Sequence, residues 1–580
     1  MLQPFRTHSR ALSPVLLSSL LLSSIASGAQ AQPACAPPID PFRSLVVTDA
    51  ALDRAKFSFV NTTNAILTSL NIATTPENRE NFVRSLITSF NADDMVNPVS
   101  GLRMKVDIRP LEAAMDPKKL LDPIDPIGLV PIALFNRLDL APQDWSNCGE
   151  HRIVYSFKAP VPNTSGPPSR FFLIFEARVN NASPQQSGFE GCRPVADFWR
   201  NLSDENDVAT RAARLEEFYY KGLSGVSGPV VQARNYGGPL GQVRGNIFMN
   251  APGTPPLWQL REWIVINSGL PTPASFVPVS VKENPLAELY ADANGPNTLD
   301  AALEATERTE FQKQFNNLFI TRLLEPDVVR EFLTSGQTGY VAELDPKSPQ
   351  FDVGKYKIDI INRIGARFEN RFNEFQSVSQ TNEDDPFTIA TTSGPIFKGR
   401  VATATAPFAL DPAQKPNADH VLNRAGAVTC GGCHQFSGGG LQQQPARPIG
   451  LVNGQPIDWP ASAIFVHVVE NSTLSPALNN FFLPFRADRL RDAVCIEAPP
   501  VAVAADPARR LSAEAAGIPR ALAFETARQA RWQQLVRAAR DQKDEAVRQA
   551  VTREAVQAIS VQRQEEIQKP GFFVTNRRPH

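Results

Sequence analysis

The 580-residue sequence predicts an α+β protein, and three observations carry that expectation. Runs of β-branched and aromatic residues, among them "HRIVYSF" and "RFFLIFEARV", alternate faces as half-buried strands do. Phe-rich stretches with apolar residues three and four apart have the period of core-facing helices. Fifty prolines and 33 glycines point to many long connections between these elements. At about 150 residues per domain, the length allows roughly three or four structural units. With 58 basic and 59 acidic residues the formal charge is -1, so the basic excess that tracks a phosphate backbone is missing and nucleic acid is not an expected partner.

The chain opens with Arg6 and Arg10 ahead of an apolar run from Val15 to Ile25, then Ala29-Gln30-Ala31, the small-x-small pattern of a signal-peptidase site. Residues 1–31 are therefore expected to be a cleaved signal peptide, with the mature protein periplasmic or secreted. The run is short and broken by Ser18, Ser19, Ser23 and Ser24, and no other run could span a bilayer, so no membrane span is expected after cleavage.

Residues 32–390 are expected to form an α+β accessory domain of unknown ligand, with antiparallel strands and Phe-rich helices. Thr75-Pro76-Glu77 starts a capped helix over "NRENFVRSLITSF". The proline-punctuated segment from Asp122 to Pro142 suggests a surface connection that dips into the core at Leu134 and Phe135. Strands at 151–157 and 170–179 flank a loop, the second with Phe171, Leu173, Phe175, Ala177 and Val179 on one face. "GQVRGNIFMN" and "LWQLREWIVIN" extend the same sheet. Helical spacing follows at Phe311, Phe315, Leu318, Phe319 and Leu323, and again at Ile361, Ile364, Phe368, Phe372 and Phe375. A composition shift places a boundary near 390. Residues 391–498 form the next segment, 499–518 a linker, 519–568 a C-terminal helix or helical hairpin, and 569–580 a tail. The C-terminal helical region is long enough to pack along the body or to join a partner helix in an oligomer.

Export changes how the six cysteines are viewed, because isolated thiols tend to pair in an oxidising compartment. Cys35, Cys148, Cys192 and Cys495 allow three connectivities. Cys148 with Cys192 is favoured, since they bracket one apparent hairpin, which leaves Cys35 with Cys495.

The remaining two cysteines lie in Cys430-Gly431-Gly432-Cys433-His434. Thiols at this spacing can form thioethers to the two vinyl groups of one haem, with the following histidine turned onto the iron. Cys430 and Cys433 would anchor haem c and His434 would be the proximal iron ligand. A zinc site would need a second pair of ligands, and no other Cys-x-x-Cys exists, although His420 is close. A thioredoxin-like dithiol would open a helix after a core strand, whereas this motif follows the helix-like "ADHVLNRAGAV" and precedes "SGGG".

A helix leading into Cys-x-x-Cys-His resembles the c-type cytochrome family over roughly 100 residues, the region 391–498. That resemblance implies a small, mostly helical wrapper around one covalent haem c, and electron transfer in the periplasm. "NRLDLAP" and "NCGEHRIVYSF" are also similar to segments of large exported bacterial proteins of unknown function that carry such a motif near their C-terminal part. The departure concerns the sixth ligand: the methionines are Met1, Met95, Met104, Met115 and Met249, and none follows Cys433. His467, in the apolar context "AIFVHVVEN", is the favoured distal ligand, with His420, His580 and His151 as further options.

The leading function is an exported monohaem cytochrome passing electrons to or from an unidentified redox partner protein. The first alternative is a haem-dependent oxygenase or peroxidase with an open iron site; Arg424, Gln435 and Arg447 are polar residues near the motif, and none is assigned as catalytic. The second is a non-haem exported binding protein with structural cysteines. The Walker loop, the dinucleotide fingerprint, His-Glu-x-x-His and Gly-x-Ser-x-Gly are all missing from the sequence.

Overall fold

Ten strands, built on a meander of five long ones, form the central sheet of the described residues. The computed structural model describes residues 38–96, 103–105, 108–141, 145–162, 168–181, 189–237, 240–249, 259–267, 274–279, 320, 323–324, 326–327, 341–365, 379–380, 398–399, 401–403, 406, 410–427, 447–463 and 466–495. The long strands are β4 (Leu129–Arg137), β5 (Asn147–Phe157), β6 (Arg170–Asn180), β7 (Gly241–Phe248) and β8 (Gln259–Ile266). β1 (Val46–Val47) lies outside β4; on the other side follow β9 (Ser275–Val279), β2 (Asp94–Val96) and β3 (Arg103–Lys105), and β10 (Ser379–Gln380) pairs with β8. Every pairing is antiparallel except β2 with β9. The protein is thus α+β with an antiparallel sheet.

The register fixes what each face carries. Ile153, Phe175, Val243 and Trp263 align across β5 to β8, so they and their i±2 neighbours share one face. That face bears Phe171, Leu173, Phe175, Ala177 and Val179, the set expected from period two, and all five are buried. Helices cover it: α1 (Pro41–Ser44), α2 (Phe59–Ser69), α3 (Pro76–Thr88), two short turns α4 (Pro110–Ala113) and α5 (Pro117–Leu121), α6 (Arg193–Asp204) and α7 (Val208–Tyr220). Thr75 caps α3 by accepting from Asn78 N at 3.2 Å, as the sequence predicts, and Pro76 takes the first helical position. Tyr219 on α7 donates to the Phe135 and Arg152 carbonyls at 3.1 and 3.0 Å, stitching this helix to β4 and β5.

Residues 122–142 differ from the sequence expectation. Leu129–Arg137 is not a surface connection but a wholly buried strand between β1 and β5. Proline lacks the ladder donor that a central strand needs. Here Pro131 sits where the β4–β5 register shifts, between Pro131 and Ala133, so the missing donor falls at an irregularity.

Cys148 and Cys192 form a disulfide, as their bracketing of one hairpin suggests, with Cα atoms 5.1 Å apart. It ties the start of β5 to the N-terminus of α6. The register shift between Asn147 and Glu150 puts Gly149 at φ +81°, and a Cβ there would lie 2.4 Å from the Arg137 carbonyl oxygen, so the bulge beside the disulfide requires glycine.

Beyond the sheet come α8 (Val353–Gly365), α9 (Ala418–Ala427), the hairpin β11 (Pro448–Val452) with β12 (Gln455–Asp458), and α10 (Leu483–Cys495). Asn453 and Gly454, both at positive φ, make the two-residue turn of that hairpin. α10 packs on α6, and the buried apolar cluster runs without a break from Leu45 to Ala493, across the expected boundary near 390. Of the expected helix at 311–323, Ile320 and Leu323 are buried and helical. Phe311, Phe315, Phe368, Phe372 and Phe375, the signal peptide and the C-terminal helical region lie outside the described residues. Among the described residues no helix is long and apolar enough to cross a membrane.

Candidate functional site

Cys430, Cys433, His434, Gln435 and His580 lie outside the described residues, but the elements leading into and out of the motif are in place. α9 ends at Ala427, three residues before Cys430. Asn417 opens it with a reciprocal cap: His420 N donates to Asn417 Oδ1 at 2.9 Å, and Asn417 N donates to His420 Nδ1 at 3.2 Å. His420 therefore serves the helix terminus. Burial lowers its pKa, helped by the Arg424 charge one turn on, which keeps the imidazole neutral as the cap requires.

Arg424 is wholly buried and holds α9 in position. Its Nε donates to the Ile449 carbonyl of β11 at 2.6 Å, Nη1 to the Leu323 carbonyl at 2.8 Å, and Nη2 to Asp327 Oδ1 at 3.2 Å. Nη1 also pairs with the second oxygen of Asp327. A guanidinium satisfied by two carbonyls and a carboxylate is a structural anchor, and it is committed too fully to act on a ligand.

The chain leaving the motif returns through β11 and β12 to Trp459, whose backbone N–H donates to the Arg447 carbonyl at 2.9 Å. The Trp459 ring is 6.1 Å from Phe482, and His467 meets the same ring edge-on at 6.0 Å, so His467 and Trp459 both pack against Phe482. His467 Nδ1 is 2.8 Å from Ser475 Oγ, which also accepts from Leu478 N at 3.1 Å. Whichever of the two groups donates, this contact occupies Nδ1, and ligation would then fall to Nε2. The Trp459 indole nitrogen is buried without a hydrogen-bond partner among the described residues.

The structure removes His151 from the ligand options. It faces the helical side of β5, fully buried, stacked on Trp199 at 5.7 Å and edge-on to Phe218 at 4.9 Å. Neither ring nitrogen has a hydrogen-bond partner among the described residues. Burial takes its pKa down to about 3, an effect that the Glu150 charge offsets only in part. Of the methionines, Met115 is in the main core and Met249 packs against it.

The opposite face of the sheet carries a ladder of charges that the sequence reading missed. Arg152 Nε lies 2.6 Å from Glu150 and its Nη1 lies 3.3 Å from Glu176; Arg244 lies 3.4 Å from Glu176 and 3.2 Å from Glu262. Gln242 adds a hydrogen bond to Glu176. All of these side chains are buried. Burial raises the Glu176 pKa more than Arg152 and Arg244 lower it, and the charges of Glu150 and Glu262 push the same way. At Glu150 burial is outweighed by Arg152, Arg178, Arg244 and Arg137, and the carboxyl is held below its ordinary value. The available signal was period two, with Glu150/Arg152, Glu176/Arg178 and Gln242/Arg244 alternating against apolar neighbours.

Late segments dock on this part of the sheet. Arg170 makes a two-pronged pair with Glu470 at 2.6 and 2.9 Å, Ser472 donates to the Ile132 carbonyl at 2.8 Å, and Arg486 reaches Asp139 at 3.6 Å. The segment carrying His467 is thereby fixed to β4 and β6. Among the described residues no group of three or more His, Cys, Asp or Glu side chains is arranged to hold a metal ion. No protein-family model, curated protein or solved structure matches this chain.

Proposed function

We propose that the chain is an exported c-type cytochrome that carries one covalent haem c beside a large α+β accessory domain and exchanges electrons with a redox partner protein. The observation that carries this reading is the pentapeptide Cys430-Gly431-Gly432-Cys433-His434, whose spacing suits two thioethers and a proximal histidine. The Cys148–Cys192 disulfide fits an oxidising compartment, where such attachment takes place.

The described elements support the reading in three ways. α9, which ends three residues before Cys430, is pinned by a buried guanidinium. His467 has its Nδ1 tied to Ser475, the kind of second hydrogen bond that orients a ligating imidazole. Trp459, which also packs on Phe482, buries an indole N–H with no acceptor among the described residues, at a cost of about 1–3 kcal/mol unless a group outside them accepts it. A haem edge bearing carboxylates would supply that acceptor.

Haem c supplies one-electron chemistry at iron. Cys430 and Cys433 would hold it and His434 and His467 would ligate its iron, with Phe482 packed edge-on against the His467 ring. Ligation by two histidines would leave the iron closed to exogenous ligands and at a lower potential than a His/Met pair. Carbon monoxide added to the reduced protein tests this: an unchanged low-spin spectrum fits electron transfer, whereas prompt binding would place the chain among oxygenases or peroxidases with an open iron.

A further inference from the structure

We infer that Arg486, held by Asp139 at the end of β4, is a positioning residue for His467 through which the accessory sheet adjusts the reduction potential of the haem. The inference rests on the proposed function and gives the accessory domain a part in it. Arg486 lies one helical turn beyond Phe482, and its guanidinium carbon stands over the Phe482 ring, 5.5 Å from the centroid. His467 meets the same ring edge-on at 6.0 Å. The cation is thus no more than about 12 Å from the imidazole, and a buried charge at that range is weakly screened.

Both ends of this linkage are fixed. Asp139 accepts from Arg137 Nε and Nη2, each at 2.9 Å, and Arg486 Nε lies 3.6 Å from the same carboxylate, so one acid next to β4 engages two buried guanidinium groups. At the other end Phe482 closes a single π-turn, Leu478–Phe482, that runs into α10. The extra residue of such a turn swings the side chains beyond it by about 100° around the helix axis, and π-turns occur mostly at functional sites. Asn362 on α8 donates to the Phe481 carbonyl at 3.0 Å and so braces the widened turn. Ser475, which contacts His467 Nδ1, also accepts from Leu478 N, so one stretch of backbone sets both the imidazole and the ring it packs on. Glu470, three residues after His467, is engaged by Arg170.

The test is the midpoint potential of the haem-loaded full chain in Arg486→Met, Asp139→Asn and Arg486→Lys, with the low-spin spectrum read on the same samples. Removing the cation favours oxidised iron, so Arg486→Met should lower the potential, equivalent to a few-fold change in the ratio of reduced to oxidised protein. Asp139→Asn removes the opposing charge and should raise it by a similar factor. Arg486→Lys keeps the charge and should keep the potential. A role in folding alone would not give opposite signs, and should Arg486→Met not fold, Asp139→Asn decides the sign by itself. Shifts of one sign, or native potentials in both charge-removing variants, would overturn the inference and leave the haem reading intact. A chain that carries no haem, or a low-spin spectrum that survives His467→Ala, would overturn that reading and this inference with it.

Discussion

Arg424 Nη2 lies 3.2 Å from Asp327 Oδ1 with the guanidinium wholly shielded from solvent. This pair joins the helix that enters the cysteine motif to a segment about a hundred residues earlier in the chain. Removing one partner of a buried pair strands the other charge, which costs about 3–5 kcal/mol. Arg424→Met should therefore lower the urea midpoint by an amount in that range, and Arg424→Met combined with Asp327→Leu should recover much of it. A midpoint unchanged in the single variant would show that the pair does not hold α9.

The contact between His467 and Ser475 bears on the iron. His467→Ala should convert the spectrum of the loaded protein from low to high spin and open it to carbon monoxide. Ser475→Ala should keep the low-spin spectrum and weaken ligation, visible as high-spin character appearing at a milder acid pH. An unchanged spectrum in His467→Ala would remove this residue from the iron.

His151 makes a prediction about acid. Its folded pKa of about 3 lies below the ordinary 6.5, so between those values the unfolded chain binds a proton that the native state excludes. Stability contributed by this site rises with pH across the window and is lost as pH falls through it, approaching about 1.4 kcal/mol per unit. His151→Phe keeps an aromatic ring on Trp199 and cannot be protonated. The stability of the variant relative to the native chain should thus increase steadily from pH 6.5 towards pH 3, measured by denaturant titration. A pH-independent difference would contradict the burial of a neutral imidazole.

Cys495 is disulfide-bonded, and its partner lies outside the described residues. If Cys430 and Cys433 carry thioethers, and Cys148 is paired with Cys192, the remaining cysteine is Cys35. Non-reducing peptide mapping of the mature protein should find Cys495 linked to the Cys35 peptide. Recovery of Cys495 joined to Cys430 or Cys433 would argue for structural cysteines and against haem.

Local patterns were legible where one residue type has one cheap role. Alternation gave the buried face of β6 from Phe171 to Val179, Thr75-Pro76 gave the start of α3, and the spacing of Cys148 and Cys192 about one hairpin gave the disulfide. Pro131 misled because proline argues against a central strand unless a register shift absorbs it, and such a shift is a property of the pair β4–β5, not of β4. The ladder of Glu150, Arg152, Glu176, Arg244 and Glu262 stands on the face that is usually wet in an antiparallel sheet, yet it is buried. Its burial depends on partners far along the chain, as the pairing of Arg170 with Glu470 illustrates, and no local period encodes that. At the candidate site, the motif was singled out by spacing and its residues lie outside the described ones, whereas the anchoring by Arg424 and the placement of His467 and Trp459 about Phe482 needed the fold.

The most direct measurement is a pyridine haemochrome spectrum, with mass analysis of the peptide holding residues 430–434, on protein made in a host that attaches haem c. A thioether-type spectrum, haem that stays with the polypeptide through denaturing electrophoresis, and a peptide heavier by one haem are expected. Unmodified thiols or a disulfide at Cys430 and Cys433, with no haem on the chain, would contradict the proposed function.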